Sequence, residues 1–153
     1  MRRLNQQISD AKCLEILKKE KRGVLSLLGD DGYPYGIPLN HFFSEEDNKI
    51  YFHCAKEGHK IDAIKNYEKA SFCVYDSGYR KDGEWALNIN SVIIFGKIRL
   101  VTDLEITRKI CSKSLFQLQK IFFPIVANLF PNCSKSLYQM QRVACADAAR
   151  WVG

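Results

Sequence analysis

The residues best equipped for chemistry lie in one stretch, YFHCAKEGHKIDAIKN at 51–66, where an extended run breaks at a lone glycine and restarts as a short helix. Two histidines (His53, His59) and two lysines (Lys56, Lys60) gather within eight positions of that junction. A turn that merely reversed the chain would need none of them. The backbone N–H groups of a helix's first turn have no intrahelical partners, and with the positive dipole end they bind phosphate. Gly58 lets the chain approach a ligand closely, and His59 and Lys60 add charge at the same point. The competing account is a surface loop with solvated lysines.

His53 and Cys54 end the extended run. Strand alternation puts Tyr51 and His53 on one face, Phe52 and Cys54 on the other. A strand histidine is most often a hydrogen-bonded structural group, yet it also titrates near neutral pH and can serve as acid or base. No second catalytic group stands near it in sequence, and there is no nucleophile elbow, phosphate-binding P-loop or G-x-G-x-x-G. Asn90 and Ser91 open a later strand with two short hydrogen-bonding side chains, and Trp85 and Trp151 offer flat apolar faces. For these, strand capping and core packing are the simpler roles.

The elements that must position these residues read as follows. Ser9 or Asp10 caps a helix running to about Lys21, with Gly23 as its stop. GVLSLLG, YGIPLNHFFS and KIYFHCA are strands separated by the turns DDGYP and SEEDNK. Pro38 cannot donate to a ladder, which places it at an edge or bulge. IDAIKN is a helix of two turns at most, KASFCVYD a fourth strand, and SGYRKDGEWALNIN a long loop or ragged hairpin. SVIIFGKIRLV is a fifth strand, bent or bulged at Gly96. Thr102 and Glu105 are spaced as a capping box, followed by an apolar stripe at Cys111, Leu115, Leu118, Phe122 and Ile125. The tail LYQMQRVACAD fits helix or strand. Tight turns between strands imply antiparallel pairing, so a small antiparallel barrel with peripheral helices is the simplest architecture.

The totals agree with one domain. A chain of 153 residues buries roughly 68–70% of its unfolded surface without staples. Its 46% hydrophobic and 12% aromatic content is that of a globular protein. No apolar run reaches the ~20 residues that span a bilayer, and no secretory signal opens the chain, so a cytoplasmic protein is expected. Six cysteines without C-x-x-C spacing suit reduced thiols rather than a disulfide framework, and no structural-metal spacing is present. The net charge of +6 lacks any accompanying nucleic-acid motif, and its densest cluster, KKEKR, closes a helix.

Taken together, RGVLSLLGDDGYPYGIPLNHFF (22–43), KIYFHCAKEGHKIDAIKNYEKASFCVYD (49–76) and SVIIFGKIRLV (91–101) resemble the FMN-binding split barrel of the pyridoxamine 5′-phosphate oxidase-like superfamily, in its nitroimidazole-resistance (Nim)-like branch. The resemblance covers roughly residues 10–105 and weakens beyond. It implies a mainly β fold, a six-stranded antiparallel Greek-key split barrel. The whole chain (1–153) would be one such domain, with an N-terminal helix in 1–22 and a helical insertion or appendage at 103–130. It also implies a homodimer with FMN, or FAD in its place, in clefts between the subunits. Carried over by position, Pro38, Leu39 and Asn40 would lie along the flavin ring and ribityl chain. His53 and Cys54 would flank the cofactor, His59 and Lys60 would reach the phosphate, and Asn90 with Ser91 would complete the site. His53 is the candidate catalytic residue. The implied activity is flavin-dependent reduction of small electron-poor compounds such as nitroimidazoles, with NAD(P)H or another electron donor. The alternative is a non-catalytic flavin or haem binder or sensor. Neither membrane nor nucleic-acid partners are expected.

Overall fold

The computed structural model describes the backbone of residues 6–55, 57–119 and 136–152, with side chains placed for 6–55 and 57–113. Helix α1 (Asp10–Lys19) begins as the sequence suggests, the Ser9 hydroxyl accepting the Lys12 N–H at 3.3 Å. It ends differently. The chain turns extended at Glu20, whose N–H still donates to the Ile16 carbonyl at 2.9 Å, and Gly23 lies inside strand β1 (Arg22–Leu28). A Cβ at Gly23 would stand 2.5 Å from Phe72 Cζ and 2.6 Å from the Cys73 carbonyl oxygen. This glycine therefore permits close packing of β1 on its neighbour and does not stop the helix.

Strands β2 (Pro34–Ser44) and β3 (Lys49–Cys54) follow β1 through tight turns, and helix α2 (His59–Asn66) then leads to β4 (Lys69–Tyr75). Strand β4 returns to lie beside β1, giving the order β4-β1-β2-β3 that defines a Greek key. Strand β5 (Asn88–Leu100) pairs with β4, and β6 (Ser136–Val152) pairs with both β5 and β3, closing a six-stranded antiparallel barrel. The ambiguous tail is thus a strand. Its neighbours leave it no alternative, because only a strand can fill the gap between β3 and β5. The register of β5 on β6 slips between Ile93 and Ile94 and again between Phe95 and Gly96, the irregularity expected at that glycine.

The barrel is split along β2. That strand pairs with β1 over residues 34–40 but with β3 only from His41 to Ser44. Pro38 therefore stands on a stretch with a partner on one side only, where its missing N–H costs no ladder bond. Alternation along the strands sends Leu25, Phe52, Phe72, Val92 and Ile94 into a common core, joined by Cys13, Ile16 and Leu17 of α1 and Ile61, Ala63 and Ile64 of α2. The rings of Phe52 and Phe72 meet edge-on at 5.0 Å, as do those of His41 and Phe72.

Helix α3 (Leu104–Gln119) covers the outer side of the β2–β3 hairpin. The Asp103 carboxylate caps it, accepting the N–H groups of Glu105 and Ile106 at 2.8 and 3.2 Å. The Thr102–Glu105 capping box is thus replaced by an aspartate one position later, a shorter route from side chain to first-turn donors. Ile110 packs against Phe42 and Tyr51, and Cys111 is buried as the apolar stripe requires. The side chains of Leu115 and Leu118, and Phe122 and Ile125 with the end of the expected 103–130 segment, lie outside those described. At the rim, Glu46 binds Lys109 at 2.7 Å and also Lys113. The Lys109 and Lys113 hydrogen bonds hold the exposed Glu46 carboxyl down at about 2. No helix among the described residues is long and apolar enough to cross a membrane.

Candidate functional site

The junction between β3 and α2 is built around Gly58. Its φ of 121° is a conformation that L side chains rarely adopt, and nothing lies within 4 Å of where a Cβ would sit. Gly58 caps α2 without any side-chain bond, while its carbonyl accepts the Ile61 and Asp62 N–H groups at 2.7 and 3.2 Å. Among the described residues, that leaves the His59 and Lys60 N–H groups as the first-turn donors without a partner. Helix α2 has two residues more than the sequence suggests, since His59 and Lys60 belong to its first turn.

His59 is exposed and leans on the β1–β2 turn. Its Nδ1 lies 3.3 Å from Asp30 Oδ2, and its ring meets Tyr35 edge-on at 4.6 Å. Asp30 also accepts from Asn66 Nδ2 at 3.2 Å, so one carboxylate ties both ends of α2 to that turn. The start of α2 is consequently not purely basic. Lys60 differs from His59: it is half-buried, and no carboxylate pairs with it among the described residues. Its stem lines an apolar space with Leu25, Leu39, Phe52, Cys54, Ile64 and Ile98. Burial pushes the Cys54 thiol up, opposed by the Lys60 ammonium. The net rise keeps Cys54 a thiol near neutrality, suited to packing rather than attack.

The nine residues singled out from the sequence divide between two faces. Pro38 and Asn40 are exposed on the outward face of β2, and His53 shares the outward face of β3 with Tyr51. The β2–β3 register, continued one step past His41↔Phe52, sets Asn40 level with His53 across the split. Leu39 and Cys54 point inward, into the core beneath α2. Toward a ligand on the outer face these two can offer only backbone.

Asn90 and Ser91 also diverge. Asn90 Nδ2 donates to Asp76 Oδ2 at 2.6 Å, its N–H donates to Asp76 Oδ1 at 3.0 Å, and its carbonyl accepts the Asp76 N–H at 3.0 Å. Asp76 Oδ1 further accepts the Gly78 N–H at 3.0 Å. Burial alone would raise the Asp76 carboxyl, but these bonds and the charge of Lys12 outweigh it and leave it below its ordinary value. The side chain of Asn90 is thus committed to the β4–β5 connection. Ser91 has the outward parity of Ile93 yet is 5% exposed.

The sequence reading missed two groups here. Asp76, the hub of that connection, has no motif to announce it. Asn88, only 1% exposed, exchanges backbone hydrogen bonds of 2.8 and 2.9 Å with Tyr79 and so narrows the loop into a bridged hairpin. The alternation Asn88, Asn90, Val92 could have flagged it as inward-facing. Trp85 is 82% exposed and is not core. The side chain of Trp151 lies outside those described, although its backbone pairs with Ile89 in the β5–β6 ladder.

A family model for pyridoxamine 5′-phosphate oxidase matches residues 9–118. No curated protein sequence matches the chain. Among solved structures, a candidate 5-nitroimidazole antibiotic resistance protein from Bacteroides thetaiotaomicron superposes with a TM-score of 0.70 at 15% identity, over 89% of this chain and 81% of that one. A FAD-binding protein from Mesorhizobium loti gives 0.66 at 20% identity, over 90% and 91%. The haem storage protein HutZ from Vibrio cholerae gives 0.59 at 13% identity, over 94% and 93%. These likenesses establish the split-barrel fold. With the family match spanning α1 to most of α3, the chain belongs to the pyridoxamine 5′-phosphate oxidase family.

Proposed function

We propose that the protein is a flavin-dependent oxidoreductase that reduces small electron-poor compounds such as nitroimidazoles. The observation that carries this reading is an α2 start without a side-chain cap, bearing His59 and Lys60, that directly follows the strand whose outward His53 stands level with Asn40 at the barrel split. First-turn N–H groups and an ammonium suit a phosphate, and no described side chain crowds the Cβ position of Gly58. The donor set therefore fits FMN, with FAD as the variant carrying the same phosphate. A bound flavin supplies the electron transfer that no side chain here can perform. In that setting Lys60 and the α2 N–H groups hold the phosphate, and His59 adds charge when protonated. Pro38 and Asn40 border the ring, and His53 faces the reacting compound and holds or delivers a proton.

The same reading has the protein act as a homodimer in the cytoplasm as a single domain, with the flavin between subunits and NAD(P)H or another donor supplying electrons. Nitroimidazole reduction follows from the likeness to the Nim-like branch and is its most specific element. Absorbance and mass spectrometry of the released chromophore test the cofactor: FMN or FAD is expected, and colourless protein that cannot be reconstituted overturns the reading. Turnover of a nitroimidazole with NAD(P)H or dithionite separates an enzyme from a flavin or haem carrier. A flavin-loaded protein without turnover leaves only the carrier.

A further inference from the structure

The outer wall of the barrel carries a strip that a solvated sheet face would not. Cross-strand pairs Pro38↔Val24, Val24↔Cys73 and Cys73↔Ile93 line up four outward apolar side chains across β2, β1, β4 and β5. Outward positions of a barrel strand facing water are ordinarily polar. Here Pro38 is exposed and the other three are half-buried, giving an apolar strip across four neighbouring strands. One step along each strand the character changes. Arg22 pairs with Asn40, and Tyr75 pairs with Ser91. The β1–β4 register, continued from Val24↔Cys73, sets Arg22 level with Tyr75. A polar row therefore borders the apolar strip, with a guanidinium at its centre. Arg22 is exposed, and among the described residues no carboxylate pairs with it. The nearby Asp76 is taken up by Asn90 and Gly78.

A guanidinium without a carboxylate partner among the described residues, beside an apolar strip, matches a planar ring bearing a planar, two-oxygen anion. The guanidinium fork binds carboxylate bidentately, while the ring covers Val24 and Pro38. We propose that Arg22, supported by Asn40 and Tyr75, is a specificity-determining residue that selects aromatic carboxylates as the electron-poor substrate. This rests on the flavin reading, because Pro38 and Asn40 are shared between the strip and the cofactor's border. A lysine would retain the charge but not the fork, which is why the conservative variant is informative.

The test uses the full-length protein as purified, with calorimetry for 4-nitrobenzoate and 4-nitrobenzamide, and absorbance for flavin content. The wild type is expected to bind the carboxylate about tenfold more tightly than the amide, the scale of one charge-assisted bidentate pair. Arg22→Gln should abolish that preference, and Arg22→Lys should restore part of it, with flavin content and melting temperature unchanged in both. Equal binding of the two compounds by the wild type, or a preference that survives Arg22→Gln, overturns the proposal. Loss of flavin on Arg22→Gln does so too, since it would place Arg22 on the cofactor. Protein that takes up no flavin but keeps the Arg22-dependent preference overturns the flavin reading alone.

Discussion

His59 Nδ1 stands 3.3 Å from Asp30 Oδ2, so the first residue of α2 is tied to the β1–β2 turn by an acid at the edge of the proposed phosphate cradle. That acid competes with an incoming dianion for the same donors. Replacing it with the isosteric amide in Asp30→Asn keeps an acceptor for Asn66 and removes the opposing charge. Flavin retention should tighten about three- to tenfold, in line with roughly 1 kcal/mol for an exposed charge pair at ~4 Å. Fluorescence titration of apoprotein with FMN checks it, and weaker binding would mean that Asp30 acts by orienting His59.

Lys60 and Lys18 make a controlled pair of charge deletions. Lys18 lies on α1, bound to Glu45 at 2.5 Å on the surface, whereas Lys60 is half-buried at the start of α2. Lys60→Ala should weaken FMN retention about tenfold or more, the scale of a lost charge-assisted bond, while Lys18→Ala should change it little. Equal dissociation constants in the two variants would remove Lys60 from the phosphate site.

For His53 the expectation concerns rate, not assembly. His53→Ala should lower turnover of a nitro substrate by about 10²-fold, the lower end of general acid–base contributions, while sedimentation shows the same oligomer as the parent. Undiminished turnover would reduce His53 to an ordinary strand residue.

Gly23→Ala probes the packing of β1 on β4. The added methyl would meet Phe72 and the backbone oxygen of Cys73 inside 3 Å, and backbone cannot rotate away as a side chain can. A loss of about 1–3 kcal/mol in denaturant unfolding is expected, the usual range for overpacking. A stability equal to the parent's would show that the sheet yields there without cost.

His41 gives the fold a pH dependence. It is largely buried: burial lowers its affinity for a proton, and the facing carbonyls of Leu17 and Lys21 only partly offset that. Nε2 lies 3.0 Å from the Leu17 carbonyl, and Nδ1 is buried without a partner among the described residues. The folded value is below the ordinary 6.5, so the unfolded chain binds the proton more readily. Stability should be full above that value and decline as pH falls through it toward the lower folded value. Melting temperatures from pH 8 to 5 check this. The decline should be shallower in His41→Phe, and an identical slope in both would assign the dependence to other groups.

Much of this molecule follows from local pattern. The period-two alternation in YFHC put His53 and Tyr51 on one face and Phe52 and Cys54 on the other, as the barrel has them, because a strand offers no other geometry. The element order from α1 to α3, the unpaired edge at Pro38 and the glycine at the irregularity in β5 follow from the same local rules. Local rules failed where a residue's purpose lay across the fold. Gly23 looked like a helix stop because its real neighbour, Phe72, is distant in sequence. Thr102 looked like a cap because spacing cannot tell which of two adjacent side chains reaches the first-turn N–H groups, and Asp103 does.

The candidate site divides along the same line. Residue types and spacing alone marked the basic start of α2, since helix-end donors, a glycine and a lysine act within one turn. Which of Pro38, Leu39, Asn40, Cys54, Asn90 and Ser91 face outward depended on register and closure. The sealing of β6 between β3 and β5, the Asp30 carboxylate beside His59 and the alignment of Arg22 with Asn40 were decided only by the tertiary structure. The physical reason is that contacts between strands join residues that no sequence period relates. Only the closing of the barrel brings them within reach.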